Sequence, residues 1–442
     1  MEPIKKWLEE HGIDEVEGLV PDMAGVARGK FVPASKFCKQ EMRLPESVFI
    51  QTVTGDYATK PVLSLADRDM VLQPAADTIR PVPWAADPTA SVIQDCFHHD
   101  GSPVDIAPRY VLMRVLKMYR ERGWDPVVAP EVEFYLVKPN LDPDYPLEPP
   151  VGRSGRQETV RQAYSIDAVN EFDPLFEDIY DYCEAQGIDA DSLIHESGAA
   201  QFEINFLHGN PLSLADQVFH FKRTVRETAM RHQVYATFMA KPMAREPGSA
   251  LHMHQSVVDA KSGENVFSDP NGKASQIFLS FIAGLQKYIP ETILLAAPYV
   301  NSYRRFARHL AAPINLHWGY DNRTVGLRVP ESKPENRRVE NRVAGADVNP
   351  YLAIAVSLAC GYLGVEEGLQ PTEPVTESAY DMPFAFPRDL YTALDRLRDC
   401  EPIKAMLGEK FVEVYCAIKE QEYEKYFQVI SPWEREFLLM NV

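Results

Sequence analysis

The chain has 442 residues, of which 45% are hydrophobic and 25% are charged, a composition typical of a globular protein with a sizeable core. Its length predicts two or more domains, and its formal net charge of −19 at pH 7 argues against nucleic-acid binding, which requires a basic surface. The 6 cysteines show no CxxC pair, so we expect free thiols of a reducing compartment and neither disulfides nor a zinc site.

The N-terminal part of the chain carries short strand-like runs that are separated by Gly, Pro and Asp turns. The runs lie at residues 16–20, 47–52 and 70–74, and their apolar residues are of the kind that strands contain. Short strands with frequent turns predict a small mixed domain. We place this domain at residues 1–107.

A second, larger domain is predicted over residues 108–442. It opens with an amphipathic helix at residues 109–122 and continues as alternating strands and helices. Residues 138–156 are rich in Pro, Asp and Gly and predict an excursion from this domain. Residues 411–425 have the period of a helix near the end of the chain.

The longest apolar stretch, residues 351–365, is too short to span a membrane. Asn349 and Pro350 precede it as an N-cap and a first helical residue, so this stretch predicts a buried helix. The first residues of the chain are not followed by the apolar run of a signal peptide. We therefore expect a cytoplasmic protein without a membrane partner.

Acidic residues recur beside apolar strand patterns. Glu131 and Glu133 share one face of a predicted strand, whereas Val132 and Phe134 take the other face. A pair of glutamates alone is typical of a solvated strand face, but a hydrophobic strand of a large domain is rarely exposed. Three further glutamates lie before a small-residue turn, inside an alternating strand and between arginines: Glu196, Glu203 and Glu340. For the last of these, a salt-bridge network is the alternative.

A His-x-His pattern follows a predicted strand and a small-residue loop. Because side chains alternate along a strand, His252 and His254 share a face and lie roughly 6–7 Å apart. A bare His-x-His is more often a pair of surface histidines. Together with the five glutamates, the first histidine completes an oxygen-rich set of candidate metal ligands. The set comprises Glu131, Glu133, Glu196, Glu203, Glu340 and His252. Such a set suits two hard cations, Mg²⁺ or Mn²⁺, better than zinc.

Clustered arginines supply positive charge. Arg304 and Arg305 precede a second cluster that contains Arg323 and Arg328. Because a guanidinium binds carboxylate or phosphate through two hydrogen bonds, these clusters indicate a substrate carboxylate and a phosphate chain. Surface arginines with structural partners are the alternative for each of them.

Residues 241–256, which run from Lys241-Pro242 through His252-Met253-His254 to Ser256, resemble the ATP-site motif of the glutamine synthetase family. The resemblance extends over nearly the whole chain, from residues 22–30 to residues 433–436. It implies an α+β fold with a small N-terminal β-grasp domain and a large C-terminal catalytic α/β domain with an antiparallel sheet. It also implies ATP as co-substrate and two or more Mg²⁺ or Mn²⁺ ions per active site.

The resemblance also implies a role for each matching residue. Glu133, Glu196 and Glu203 would hold one metal, and Glu131, His252 and Glu340 would hold the other. The residues implied in nucleotide binding are His254, Ser256, Arg323, Arg328 and Arg338. Those implied in glutamate binding are Glu133, Gly248, Arg305 and Arg342, and those implied in catalysis are Arg323, Arg305 and Glu340.

Two positions depart from the ammonia-using members of the family. Ile50 stands where those members carry an N-terminal aspartate that helps to bind ammonium, although Asp56 is a possible substitute. Ala311 stands where they carry a flap glutamate. The loss of two acids weakens the binding of a small cation and leaves room for a larger amine. This pattern is similar to the γ-glutamylpolyamine (γ-glutamylputrescine) synthetase branch of the family. In addition, Pro247 replaces an asparagine that contacts glutamate in many members.

The resulting prediction is an ATP-dependent ligase that joins L-glutamate to a polyamine through a γ-glutamyl phosphate, in polyamine catabolism. A metal-bound carboxylate, Asp56 and His309 are the candidate bases for the amine. The alternatives are an ammonia-using glutamine synthetase, a γ-glutamyl ligase for another amine, and a non-catalytic relative. The resemblance further implies a homo-oligomer, a dodecamer of two hexameric rings.

Overall fold

Two β-sheets organise the part of the chain that the computed structural model describes, residues 1–59, 62, 66–308 and 311–442. The first sheet has the strand order β2-β1-β6-β4-β3, with β5 paired to β6. In it, β1 and β6 run parallel and the other pairs are antiparallel. Its strands are β1 (Glu15–Pro21), β2 (Ala27–Pro33), β3 (Met42–Pro45), β4 (Asp69–Pro74), β5 (Arg80–Pro81) and β6 (Thr89–Phe97).

Two of the three predicted N-terminal strands are confirmed, by β1 and by β4. The prediction of a strand at residues 47–52 is wrong, because Glu46–Ile50 forms a 3₁₀-helix. Its start is held by Asp67, whose carboxylate accepts hydrogen bonds from Ser47 N at 3.1 Å and Ser47 Oγ at 2.9 Å. The helices of this part are α1 (Glu2–Glu10) and α2 (Ala34–Phe37).

The second sheet has the order β12-β13-β14-β11-β7-β9-β8, with β10 paired to β7. All its pairs are antiparallel except β12 and β13. The predicted α+β class is therefore confirmed, with one parallel pair at the edge of the antiparallel sheet. The strands are β7 (Trp124–Val137), β8 (Ala190–His195), β9 (Gln201–Phe206), β10 (Tyr235–Thr237), β11 (Leu251–Asp259), β12 (Trp318–Tyr320), β13 (Leu327–Val329) and β14 (Val339–Asn341).

The remaining helices lie within residues 108–437. The predicted helices at residues 109–122, 351–365 and 411–425 are confirmed by α3, α9 and α12. The helices are α3 (Pro108–Glu121), α4 (Ile166–Asn170), α5 (Asp173–Ala185), α6 (Pro211–Arg231), α7 (Gln276–Ala296), α8 (Val300–Tyr303), α9 (Pro350–Glu366), α10 (Leu390–Asp399), α11 (Glu401–Leu407), α12 (Glu409–Phe427) and α13 (Pro432–Phe437).

The predicted cap of α9 is present. The Asn349 side chain accepts hydrogen bonds from Tyr351 N at 3.0 Å and Leu352 N at 3.4 Å, and Pro350 is the first helical residue. Within the described ranges, no helix is long and apolar enough to cross a bilayer. The 6 cysteines are free thiols, as predicted. The division into domains at residues 107 and 108 stays a prediction.

Helix α9 forms hydrogen bonds to two strands of the second sheet, β11 and β14. Its Ser357 Oγ lies 2.9 Å from Gln255 Nε2 of β11 and 2.9 Å from Asn341 Nδ2 of β14. Gln255 and Asn341 point away from the face that carries the neighbouring residues His254 and Glu340, because side chains alternate along a strand. A buried serine on α9 thus fixes two strands of the sheet relative to each other.

The crossing of α7 and α9 requires glycine. A Cβ atom on Gly284 would lie 2.2 Å from the Cys360 carbonyl oxygen and 2.7 Å from Gly364 Cα.

We predict that Gly284→Ala lowers the free energy of unfolding by about 1–3 kcal/mol, because the helices must separate. Urea unfolding measures the change. Gly209→Ala is the control, since its nearest heavy atom would lie at 3.7 Å. Equal unfolding midpoints for the two variants would contradict the prediction.

Candidate active site

Strand register brings the predicted acidic residues onto one face of the second sheet. Glu131 of β7 lies opposite His252 of β11, and Glu133 of β7 lies opposite Glu203 of β9. On the next strand, Glu340 of β14 lies opposite His254. Strands β7 and β11 therefore lie between Glu203 of β9 and Glu340 of β14.

The opposite face of β7 explains why these polar residues share a side. Val132 and Phe134 are fully buried there, as the sequence pattern predicted. The Phe134 ring packs edge-on against Phe221 of α6, with ring centroids 6.4 Å apart. Burial of one face under helices directs every second residue of β7 to the other face.

The acidic face contains three groups of side chains whose ligand atoms lie within 4.8 Å of one another. Each group has the oxygen-rich composition that Mg²⁺ and Mn²⁺ prefer. We name them the first, second and third donor groups. They are Glu133, Glu196 and Glu203 (first), Glu131, Glu203 and His252 (second), and Glu131, His254 and Glu340 (third).

Negative charge in the first donor group is poorly compensated. Burial and the charge of Glu196 raise the pKa of Glu133 to about 8. Burial, together with the neighbouring glutamates, raises the pKa of Glu203 well above its usual range, and burial also raises the pKa of Glu196. The Glu133 Oε2 atom accepts hydrogen bonds from Ala250 N at 2.8 Å and Gln201 Nε2 at 3.1 Å. A divalent cation fits this group because it would offset three adjacent carboxylates.

The third donor group is neutralised from within the chain. Glu131 Oε1 lies 2.8 Å from His254 Nε2, and Glu131 Oε2 lies 3.4 Å from His252 Nδ1. Burial alone would raise the pKa of Glu131, but these two imidazoles outweigh it and the pKa lies far below the usual range. Burial and Arg342 lower the pKa of His252 to about 4, so its ring is neutral at neutral pH.

Glu340 is held by two arginines. Arg328 Nη1 donates to Glu340 Oε2 at 2.9 Å, and Arg342 Nη1 contacts Glu340 Oε1. Burial acts to raise the pKa of Glu340, but Arg342 and His252 outweigh it and the pKa lies below its usual value. The two arginines, which were predicted to bind phosphate and glutamate, therefore lie on the acidic face.

All six predicted metal ligands thus lie on the acidic face, although none of these contacts shows that they hold a metal. The first donor group has the predicted composition. His252 Nδ1 lies 3.4 Å from Glu131 Oε2 and 3.9 Å from Glu340 Oε1, so the other predicted trio also meets. Their roles as ligands stay predictions.

An open cleft of about 540 Å³ adjoins the third donor group. His254, Ser256 and Arg338, which were predicted to bind nucleotide, line it together with Glu131. Arg338 Nε donates to His254 Nδ1 at 3.3 Å, so His254 Nε2 carries the proton that Glu131 accepts. Other residues that line the cleft were not predicted from the sequence, and they include Asp191, Asn205, Phe206, Leu207, His208, Glu335 and Asn336. The available signal was His208, which lies two residues after the end of β9.

The predicted glutamate-binding residues lie beside the first donor group. Arg305 is buried, and its Nη1 and Nη2 donate to the carbonyl oxygens of Val343 at 2.6 Å and Arg342 at 3.1 Å. Burial lowers the pKa of Arg305 to about 10, against the attraction of Glu133, and the guanidinium stays charged at neutral pH. A Cβ atom on Gly248 would lie 2.6 Å from Arg305 Cγ, so glycine is required there.

The remaining predicted residues lie away from these contacts. Arg323 is exposed in the turn between β12 and β13, and its phosphate role stays a prediction. The Asp56 carboxylate contacts Lys425 of α12 and accepts from Thr54 Oγ1 at 2.7 Å. Ala311 is exposed with a left-handed φ of 64°. His309 lies outside the described residues.

Comparison with known proteins identifies relatives over the whole chain. A model of the glutamine synthetase catalytic domain matches residues 105–438. The chain is 36% identical to the gamma-glutamylputrescine synthetase PuuA of Escherichia coli, over 99% of this chain and 94% of that protein. It is 32% identical to a glutamate–isopropylamine ligase of a Pseudomonas species, over 98% of this chain and 96% of that protein. The ligand-free structure of GmaS superposes with a TM-score of 0.85 at 26% identity, covering 100% of both chains.

Glu203 belongs to both the first and the second donor group. We predict that Glu203→Gln weakens Mn²⁺ binding by at least about 10-fold, because an amide oxygen is a poorer ligand for a hard cation. Isothermal titration calorimetry on metal-free protein measures the affinity. Glu264→Gln, which changes an exposed glutamate in the loop after β11, should bind Mn²⁺ as the unaltered protein does. Equal affinity in both variants would contradict the assignment.

Proposed function

Because the chain belongs to the glutamine synthetase family, we propose that it ligates the γ-carboxylate of L-glutamate to a polyamine such as putrescine or spermidine. Membership of this family makes the chain an ATP-dependent carbon–nitrogen ligase. The observation that carries the proposal is the acidic face itself. On one side of the acidic face is the cleft that His254 and Arg338 line. On the other side is the buried guanidinium of Arg305.

The first chemical step activates glutamate. A carboxylate is a poor electrophile, so transfer of the γ-phosphoryl group of ATP creates a γ-glutamyl phosphate with a good leaving group. Arg305 and Arg342 supply the positive charge that holds the carboxylates of glutamate, and Arg323 and Arg328 supply charge for the phosphate chain. Divalent cations, when bound by the donor groups, would neutralise the charge that develops on the phosphoryl group.

The second step is attack of the amine on the acyl phosphate, with loss of phosphate. The ammonium form of the amine must first lose a proton to a base. Asp56 is a weak candidate because Lys425 and Thr54 engage its carboxylate, and His309 lies outside the described residues. Among the described residues, the carboxylates of the first donor group are the candidates that lie on the acidic face. Glu196 is the half-buried member of that group and is therefore open to an approaching amine.

Two positions support an acceptor larger than ammonia. Ile50 ends a 3₁₀-helix of the first sheet region, and Ala311 follows Arg305 in the segment before β12. Neither side chain carries the negative charge that would bind a small cation. The likeness to a gamma-glutamylputrescine synthetase supports a polyamine, whereas the likeness to a glutamate–isopropylamine ligase supports a monoamine as the second candidate.

The proposal places the enzyme in cytoplasmic polyamine catabolism as a dodecamer of two hexameric rings. The C-terminal part of the chain supports an assembly, because it exposes large apolar side chains that water alone does not favour. These residues are Phe427, Val429, Ile430, Trp433, Phe437, Leu439 and Met440.

The proposed acceptor is tested by phosphate release from ATP and glutamate with Mg²⁺ present. We expect turnover with putrescine or spermidine at concentrations where ammonium gives little phosphate. The panel also contains cadaverine, spermine, ethanolamine and isopropylamine. Preference for isopropylamine would select the second candidate, and preference for ammonium would contradict both. Silence with every amine would contradict the proposed reaction.

Ala311 offers a direct test of acceptor choice. We predict that Ala311→Glu raises the ratio of kcat/KM for ammonium to kcat/KM for putrescine by at least about 10-fold, because it restores an acid that binds and deprotonates ammonium. Ala311→Gln is the matched control, since it has the same size without the charge. The left-handed backbone at position 311 strains alanine, glutamate and glutamine alike, so it does not distinguish the two variants. An identical shift in both variants would show that charge at this position does not select the acceptor.

A further inference from the structure

Side chains bind four of the five main-chain N–H groups in the turn between β8 and β9, and the fifth, Glu196 N, donates to the Gln201 carbonyl oxygen. This turn, residues 196–200, carries Glu196 of the first donor group at its start. Four successive N–H groups donate to carboxylate or amide oxygens. The bonds are Ser197 N to Glu196 Oε2 (3.2 Å), Gly198 N to Gln201 Oε1 (2.9 Å), Ala199 N to Glu246 Oε2 (3.2 Å) and Ala200 N to Glu158 Oε2 (2.8 Å).

Glu158 also binds the last residue of β8. Its Oε2 atom lies 3.0 Å from His195 Nε2, and His195 Nδ1 donates to the Glu196 carbonyl oxygen at 2.7 Å. The His195 side chain is completely buried, and that of Glu158 is 10% exposed. Since a carbonyl oxygen only accepts, Nδ1 carries a proton, and the ring orientation is set at both nitrogens. Glu158 is therefore connected to Glu196 through an imidazole.

Two strained residues depend on the same pair. Ala200, whose N–H Glu158 accepts, has a φ of 56°, and Tyr164 has a φ of 64°. The Tyr164 N–H donates to the carbonyl oxygen of His195 at 2.8 Å. Left-handed residues other than glycine persist where surrounding contacts hold them, and they concentrate at functional sites. Both contacts here belong to Glu158 or His195.

We propose that Glu158 and His195 form a positioning pair that sets the Glu196 carboxylate in its place within the first donor group. The pair fixes the turn from both ends, because Glu158 accepts from Ala200 and His195 donates to Glu196. Glu158 is not a member of any of the three donor groups found among the described residues, so it acts through the turn. This inference rests on the metal role proposed for Glu196.

A purely structural role of the pair would affect stability, and Mn²⁺ affinity would then change equally at the site that contains Glu196 and at the site formed by the third donor group. A positioning role affects one site only. Partners that orient metal ligands commonly change metal affinity by 10–100-fold when they are removed. The third donor group has its own partners, Arg328, Arg338 and Arg342, and none of them contacts Glu158 in the described residues. It therefore serves as an internal reference.

The experiment measures Mn²⁺ binding to metal-free full-length protein by electron paramagnetic resonance, without nucleotide or amine. We expect Glu158→Ala to weaken one class of Mn²⁺ site by about 10–100-fold and to leave the other class unchanged. Glu158→Gln should stay within about 3-fold of the unaltered protein, since an amide oxygen in the place of Oε2 still accepts from Ala200 N and still faces His195 Nε2. Glu171→Ala is the matched control, because Glu171 accepts from Ser154 N at 3.1 Å in the neighbouring loop but not from the turn.

His195→Gln is the second variant and should show the same selective loss of Mn²⁺ affinity. It keeps the test valid if circular dichroism shows that Glu158→Ala is unfolded. If Glu158→Ala and His195→Gln retain both classes of site at the affinity of Glu171→Ala, the positioning role is wrong and the proposed ligase stands. An equal loss at both classes would also overturn it. Absence of Mn²⁺ binding in the unaltered protein would overturn the metal role of Glu196 and this inference with it.

Discussion

Repulsion among four carboxylates on one face of a single sheet and a fifth, Glu196, on an adjoining turn is the constraint on which the rest of the site depends. Ligand atoms within each donor group lie within 4.8 Å of one another. At that separation two negative charges repel by about 3–4 kcal/mol if the effective dielectric constant is about 20. The sheet keeps the acids together because the other face of β7 is buried under helices, and no residue of that strand can turn over without exposing Val132 or Phe134.

The two ends of the acidic face offset this repulsion differently. At β14 the chain supplies its own cations, and Arg328 and Arg342 bind both oxygens of Glu340. At the other end, the charge of Arg305 attracts Glu133, but the Arg305 guanidinium donates to main-chain carbonyl oxygens. The hydrogen bonds to Glu133 come from Ala250 N and the Gln201 amide. Burial and the neighbouring carboxylates outweigh this compensation, so the pKa values of Glu133 and Glu203 are raised, whereas the directly bound arginines keep the pKa of Glu340 low. The end with uncompensated charge is the end that most favours a bound cation.

Local patterns in the sequence were sufficient for much of this site. Alternation along residues 130–135 and the His-x-His pattern predicted which side chains share a face, and the Asn349-Pro350 pair predicted the start of α9. The strand predicted at residues 47–52 was wrong because its conformation depends on Asp67, which lies about twenty positions further along the chain. The contacts of Glu158 with His195 and Ala200 were not predictable either. Glu158 lies between β7 and β8 and is separated from these partners by 37 and 42 residues along the chain. No short-range pattern in the sequence marks such a contact.

Under the proposed function, acceptor choice depends on segments outside the second sheet. The segment after Ile50 is fastened to α12, since Val53 N donates to Glu422 Oε1 at 2.7 Å and Thr59 N donates to Gln421 Oε1 at 2.7 Å. With Asp56 bound to Lys425, the polar groups of this segment are largely engaged within the chain, while Val53 and Tyr57 are exposed. These two side chains carry no negative charge for ammonium, whereas each methylene group of an alkylamine gains about 0.8 kcal/mol when it is buried. Under the proposed function, the chain thus exchanges charge recognition of a small cation for contact with a longer amine.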